Sequence, residues 1–433
     1  MLTAEIPRNG LHKSEPASVC KVWDADYPWD VRVEKICRSL CRAYDVHLVS
    51  RNSKRRSTYE RHGNLHIHRL PVVPSLPPQI AGALGFPAFF NPLWIRAIER
   101  TARLSSARVL IARDLPLALA TLLVGRIHRI PVIFDMAENY PAMLQDVWDS
   151  AGARIGDRLM RNPRLARVVE RVAVRLADHI LVVVDESRTR LLEMGVPSRK
   201  MTVVMNTPDL SRGQQPAHDS SRGLARNPRE LIVVYLGLLE VPRGLGTAIL
   251  AMREVRRQLP NARLVVIGSG RDEELFRKQA RVVGVNDRVE FRGWVEYRQA
   301  LDHISNCDIG LVPHHATVNW QTTSPNKLFD YMSLGKPVIV SSARPTARIV
   351  AEEQCGLVFS DRNPRELADA IVRLSDPSVR NMYGNRGQEA VRRQYNWETD
   401  ERRLLGAIQN VIAEREFSEC ESATRTKLIK RQR

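Results

Sequence analysis

Residues 324–340 read SPNKLFDYMSLGKPVIV, and the order of residue types in this stretch carries most of what can be said about the fold. Ser324 is a good N-cap, and Pro325 suits a first helical position, where its missing N–H would have no partner in any case. Gly335 fits a left-handed helix cap, and Pro337 blocks continuation before the β-branched run at 338–340. The stretch therefore predicts a short helix that opens at Ser324 and feeds directly into a strand. Such a helix turns its free N–H groups and the positive end of its dipole toward the preceding loop, and Lys327 adds a full charge in the first turn. That combination is a seat for a phosphate, with Asn326 beside it. Asp330, one turn along, is placed to accept hydrogen bonds from a ribose diol just beyond. The same residues would also make a capped surface helix with a Lys327–Asp330 ion pair, so position in the fold has to decide between them.

Position follows from the rest of the chain. Short β-branched runs alternate with helical patterns in two series, at 19–23, 46–50, 65–70, 108–113, 131–135, 179–184 and 202–204, then at 231–237, 263–268, 288–291, 308–313, 337–341 and 356–359. Continuous apolar strands between helices predict parallel sheets covered on both faces. The fold class is thus α/β, with two doubly wound Rossmann-like domains facing a cleft. The boundaries expected are a disordered leader at 1–18, a first domain at 19–210, a Ser/Gly/Pro-rich linker at 211–230, a second domain at 231–395, a helix crossing back to the first domain at 396–415 and a basic tail at 416–433. Ligands of such sheets sit at the carboxyl ends of strands. The strand at 308–313 ends there in His314 and His315, and His315 is a candidate donor to a phosphate or sugar oxygen. Two further strand ends, YLGLLEVPRGLG (235–246) and VVIGSGRDEEL (265–275), offer Arg243 as a diphosphate clamp and Gly268 and Gly270 for close backbone approach.

Composition limits the partners. The chain has 433 residues, 43% hydrophobic and 26% charged, with a formal charge of +18, so it is a folded protein whose field favours anions. No interleaving of basic and aromatic residues marks a nucleic-acid surface. Neither half has GxGxxG followed by an acid about 20 residues on, which argues against a nicotinamide oxidoreductase. Six cysteines form no metal spacing, and Cys37 and Cys41 are expected to pack rather than bridge. "DAD" at 24–26 reads as a turn after the first strand, not as a metal motif. The opening residues lack an apolar signal core, and 115–125 is too short to span a bilayer. A cytoplasmic protein follows, and its contact with the inner face of the membrane would be peripheral. Arg154, Arg158, Arg161, Arg164, Arg167, Arg171 and Arg175 recur at helical steps, Arg425, Lys427, Lys430, Arg431 and Arg433 close the chain, and 80–98 adds apolar and aromatic residues. These segments suit either solvent or an anionic lipid surface.

Taken together, the motifs resemble the family 4 retaining glycosyltransferases, which have the GT-B fold, and within them the bacterial capsule, lipopolysaccharide and exopolysaccharide subgroup. SPNKLFDYMSLGKPVIV is similar to that family's donor-site signature. YLGLLEVPRGL, LVVIGSGRDEEL, FRGWVEYRQALDHISNCDIGLVP (291–313) and YNWETDERRLL (395–405) follow in the family's order. In the first half, YPWDVRVEKICRSL (27–40) and ARDLPLALATLLVGRIHRIPVIFDMAENYPAML (112–144) resemble the acceptor side. The resemblance implies transfer of a hexosyl unit from a nucleotide-diphosphate sugar to a glycan or lipid-linked acceptor in cell-surface polysaccharide synthesis, with no metal and no cofactor beyond the co-substrate. It implies catalytic roles for Asp114, Glu138, Arg243 and Lys327, donor binding by Gly268, Gly270, His315, Ser324, Asn326 and Asp330, and acceptor binding by Arg32. Three departures stand out: Thr322 where many members have a glutamate, Leu238 where a basic residue is usual, and no Gly-Gly turn near residue 28. A sugar-nucleotide epimerase of the same architecture, or a noncatalytic nucleotide-sugar binder, would share the donor half.

Overall fold

The computed structural model describes residues 16–71, 89–151, 161–212 and 230–431. The expected leader up to residue 15, Arg154 and Arg158, the apolar residues 80–88, most of the linker (213–229) and the last two residues lie outside that set. Eight strands form the first sheet: β1 Ser18–Asp26, β2 Asp45–Arg51, β3 Tyr59–His62, β4 Leu65–Arg69, β5 Val109–Arg113, β6 Val132–Met136, β7 His179–Val182 and β8 Met201–Val203. Six form the second: β9 Leu231–Leu236, β10 Ala262–Ile267, β11 Val289–Gly293, β12 Ile309–Val312, β13 Val338–Ser341 and β14 Gly356–Phe359. Their orders are β3-β4-β2-β1-β5-β6-β7-β8 and β11-β10-β9-β12-β13-β14. Every pairing is parallel except β3 with β4.

All thirteen expected strand runs are strands; the central ones, such as β5, β6, β12 and β13, are apolar and buried along their whole length, whereas the outer β4, β8, β11 and β14 are only partly buried. The additional strand, β3, carries only the polar sequence YERH at the sheet's edge, where pattern gives no signal. The residues 24–26 are not a turn: β1 runs through Asp26, whose carboxylate accepts from the Ser53 N–H at 2.8 Å. Strand order reverses between β1 and β5 and again between β9 and β12. Each reversal sends helices to opposite faces and opens a crevice at the strands' carboxyl ends.

The lobes share apolar packing. Ala137, Val183, Val184 and Met205 from the first join Val312, Leu328, Val340 and Tyr395 from the second in one cluster. The closing helix, Trp397–Arg431, then packs on the first lobe. Trp397 donates its backbone N–H to Pro208 O at 2.9 Å and its indole N–H to Ser39 Oγ at 2.8 Å. Leu404, Ile408 and Val411 bury against Val19, Ile36 and Ile111. The helix continues past residue 415, so the basic segment up to Arg431 is helical rather than a loose tail.

Beneath the first sheet lies a buried ion cluster around Asp135, on β6. Its carboxylate receives Lys21 Nζ at 3.1 Å and Arg32 at 2.9 Å, with Arg113 at 3.8 Å. Arg32 also donates to Val204 O, Met205 O and Asn206 Oδ1 at 2.9, 3.2 and 2.9 Å. The expectation that Arg32 meets an acceptor is therefore corrected: it is 2% exposed and its donors hold the irregular segment that follows β8 in place. Removing one partner of a buried pair leaves the other charge uncompensated. Arg32→Ala is expected to lose about 3–5 kcal/mol of stability in denaturant unfolding. A variant of unchanged stability with a raised acceptor KM would restore the binding role.

Candidate active site

The helix that contains Lys327 spans Asn326–Ser333, one residue later than its sequence suggested. Pro325 is the residue that precedes it in extended conformation, and Ser324 makes no capping hydrogen bond. It is not a surface helix. Residues 327–333 are all buried, and Leu328, Phe329, Tyr331 and Met332 are each fully inaccessible. Tyr331 locks the helix to β9 by donating to Val234 O and accepting from Leu236 N–H, both at 3.0 Å. Gly335, with φ +67°, closes it as expected.

This packing fixes Lys327 where no carboxylate among the described residues pairs with it. Its ammonium lies 4.0 Å from the centre of the Tyr235 ring and makes no hydrogen bond. A side chain at Gly237 would begin 3.2 Å from Nζ, so the glycine leaves the room the ammonium occupies. Burial, then the Arg243 charge, pulls the Lys327 pKa well below that of an ordinary lysine. A desolvated cation–π contact is worth about 2 kcal/mol, whereas burying an ion costs several. The balance is an unmet demand for an anion. Neighbouring donors share it: the His314 ring, with both nitrogens unpartnered, and Ser324 Oγ are buried in the same segment as Lys327 Nζ, which also holds one unpartnered acceptor, Asn319 Oδ1. His314 packs against Trp320 with ring centres 3.8 Å apart and planes tilted by 45°, and Arg243 lies 5.3 Å from the same indole. Burial, with Lys327 and Arg243, holds His314 neutral, so it can donate one N–H to an anion.

The first lobe contributes carboxylates. Asp114 follows β5 in a left-handed conformation, φ +58°, and accepts from the Ala137 N–H at 3.1 Å. Glu138 follows β6 and is solvent-exposed, although protein atoms crowd around its carboxyl. Enclosure there, then the charge of Asp114, raises its pKa, while Arg113 and Arg243 oppose the rise. Burial also raises Asp114, and it raises Asp24, beside Asp114, to about 6. Glu138 from one lobe thus feels Arg243 from the other. Glu138 is therefore within electrostatic reach of Asp114 and Arg243, and Arg243 of Lys327.

The donor-side expectations divide. Asp330 does not pair with Lys327; it accepts from the Tyr297 hydroxyl at 2.8 Å and faces Lys35 of the first lobe. Burial lifts it to about 6. His315 Nδ1 lies 2.9 Å from Asp361 Oδ1, and Asn326 is exposed at the helix start. Gly268 and Gly270 do not open space for a diphosphate. A Cβ at either would strike the backbone of the β9 loop, 2.0 Å from Gly237 O and 2.3 Å from Leu239 O, so they serve loop packing. His314, Trp320, Tyr235 and Gly237 went unselected. A histidine doublet was the available signal, and sequence does not say which member is buried.

Two family profiles match this chain: "Glycosyl transferase 4-like domain" over residues 30–207 and "Glycosyl transferases group 1" over residues 230–376. The chain belongs to the family 4 glycosyltransferases. A Mycobacterium tuberculosis GDP-mannose-dependent alpha-(1-6)-phosphatidylinositol monomannoside mannosyltransferase is 29% identical to this glycosyltransferase over 39% of the chain and 44% of the relative. The chain spans about half the length of the curated relatives it matches. Sucrose-phosphate synthase from Thermosynechococcus elongatus superposes with TM-score 0.73 at 19% identity, over 92% of this chain and 100% of that one. Anabaena HepE in complex with UDP-glucose does so with TM-score 0.65 at 15% identity, over 91% and 99%. These likenesses establish the GT-B fold.

In this glycosyltransferase Thr322, at the position of the missing glutamate, ties the lobes together. Its hydroxyl accepts from Asn139 Nδ2 at 3.1 Å, and its carbonyl accepts from Ser187 Oγ. Lys327→Met is expected to leave the melting temperature unchanged or higher, because it removes an unpaired buried charge, while abolishing nucleoside-diphosphate binding by calorimetry. Binding at wild-type strength would refute the anion seat.

Proposed function

We propose that this glycosyltransferase moves a hexosyl unit from a nucleotide-diphosphate sugar to a glycan or lipid-linked acceptor, retaining anomeric configuration and drawing its leaving-group stabilisation from side chains. The observation that carries the proposal is the buried, unpaired Lys327 beside Arg243 and the start of helix Asn326–Ser333. As the bond from the anomeric carbon to the diphosphate oxygen lengthens, negative charge grows on that oxygen. Lys327, Arg243 and the His314 N–H are oriented toward such a charge before it forms, so no reorganisation is needed. Glu138, open to the cleft, faces the positive charge that develops on the sugar, and Asp114 is fixed beside it. The acceptor attacks from the side the diphosphate leaves. The UDP-glucose bound to HepE and the GDP-mannose and phosphatidylinositol named for the mycobacterial relative support this class of donor and acceptor.

Purified protein incubated with a panel of nucleotide sugars and a membrane extract is expected to release free nucleoside diphosphate only when extract is present. Sugar-nucleotide interconversion without an acceptor would indicate the epimerase reading. Because Glu138 and Asp114 have raised pKa values, they protonate above the ordinary carboxylate range as pH falls. The acid limb of kcat/KM is therefore expected to lie above pH 4.5, the ordinary value for Glu138, and Glu138→Gln should remove most of the rate. Asp114 would still titrate in this variant, so the rate decides: a Glu138→Gln rate equal to that of wild type would exclude Glu138.

The acceptor side fits a membrane surface. Helix Pro163–Leu176 exposes Leu165, Val168, Val172 and Leu176 in one stripe, at 44, 56, 39 and 39%. Arg164, Arg167, Arg171 and Arg175 flank it, all exposed. Helix Ala118–His128 packs alongside and exposes Leu123 and Ile127. Apolar residues at this spacing, rimmed by arginine, match an interfacial helix, each cation adding about 1 kcal/mol on anionic lipid. Among the described residues no helix is long and apolar enough to cross a membrane. The protein is expected to sediment with phosphatidylglycerol vesicles and not with phosphatidylcholine vesicles. Arg167→Glu with Arg171→Glu should abolish this, and equal sedimentation of the variant would refute the surface.

A further inference from the structure

Away from the cleft, toward the amino ends of β2 and β4, the edge of the first sheet holds a group of imidazoles that the transfer reaction does not use. Asp45 and His47 lie on β2 and His66 on β4, where His47 and His66 are register partners. The two rings stack with centres 4.4 Å apart and planes within 8°. Both turn the same nitrogen to one carboxylate: His47 Nε2 is 3.3 Å from Asp45 Oδ2, and His66 Nε2 is 3.0 Å from Asp45 Oδ1. All three ligand atoms fall within 4.8 Å of one another. A tetrahedral cation with bonds of about 2.0–2.1 Å separates its ligands by about 3.3 Å, so these side chains need only small movements to close on one.

The remaining ring nitrogens are also engaged. His66 Nδ1 lies 2.8 Å from the Tyr59 hydroxyl, and His47 Nδ1 lies 3.0 Å from His68 Nε2. Outer partners of this kind fix the tautomer and orientation of metal-bound imidazoles. Asp45 is partly open, with 30% of its side chain exposed, while the two imidazoles are nearly buried at 11% and 10%. An ion thus has an entry path, and a fourth position can be completed by water. We propose that Asp45, His47 and His66 form a binding site for a borderline divalent cation of the Zn2+ class, which clamps β4, and with it the polar hairpin strand β3, to β2. Two imidazoles and a carboxylate are a donor set for such ions, and β3 has little apolar contact of its own to hold it.

The test uses the full chain, stripped of metal by chelation and titrated with Co2+ as a spectroscopic probe, then with Zn2+ in competition. Wild type is expected to develop visible tetrahedral Co2+ absorption that saturates at one equivalent, and Zn2+ should abolish it and raise the melting temperature. His47→Gln and Asp45→Asn should each weaken binding by more than the roughly 100-fold that outer-partner loss can cause, and Tyr59→Phe by about 10-fold. Circular dichroism checks that each variant folds. Should the ligand variants fail to fold, the wild-type stoichiometry, the Zn2+-dependent melting shift and Tyr59→Phe still decide. No visible Co2+ band in wild type, or folded variants that bind as wild type does, would overturn the proposal.

Discussion

A positive charge buried without a partner is the constraint on which the second lobe depends. Lys327 sits in a protein interior that ordinarily neutralises or pairs such a group. Arg243 and the start of its own helix raise the local potential further. What keeps the ammonium there is apolar packing on the other faces of the same helix: Leu328, Phe329, Tyr331 and Met332 are fully buried. Each contributes about 1.5–3 kcal/mol, enough together to hold one desolvated ion in place. An anion that enters this corner finds its counter-charge already fixed.

The ion cluster around Asp135 shows the opposite arrangement. Burial alone would raise the pKa of that carboxyl, yet Arg32, Lys21 and Arg113 hold it far below the usual range. Charge is compensated within the fold, and the cluster stabilises the first lobe without needing a ligand. The comparison gives a physical criterion for separating the two kinds of buried charge. A cation whose counter-charge comes from the protein is architecture, as with Arg32, which is paired with Asp135 although its Nε has no hydrogen-bond partner. A group whose demand the protein leaves open, as with Lys327 and His314, is a candidate for a ligand.

The two lobes close on each other through polar ties as well as apolar packing. Thr322 meets Asn139 and Ser187, Thr317 donates to Asp146 at 2.7 Å, and Arg348 pairs with Glu186 at 2.7 Å. These contacts bring Glu138 within electrostatic reach of Arg243. The residue at 322, one of the departures from the family pattern, serves here as a tie between lobes.

Local chemistry was enough to fix much of this protein from its sequence. Continuous β-branched runs between helical patterns gave the strands, Gly335 and Pro337 gave the end of the key helix, and Lys327 and Arg243 stood out as cations at strand ends. Edge strand β3 was invisible because it has no apolar pattern, and Ser324 misled because a good capping residue need not cap. What only the tertiary structure decided was which polar groups are satisfied. Arg32 and Lys327 are both cations early in helices with apolar neighbours, and no local rule separates them. Asp135 lies 103 residues from Arg32 along the chain, whereas among the described residues no carboxylate pairs with Lys327. Hydrogen bonding and charge compensation are non-local, so they depend on how strands distant in sequence are brought side by side.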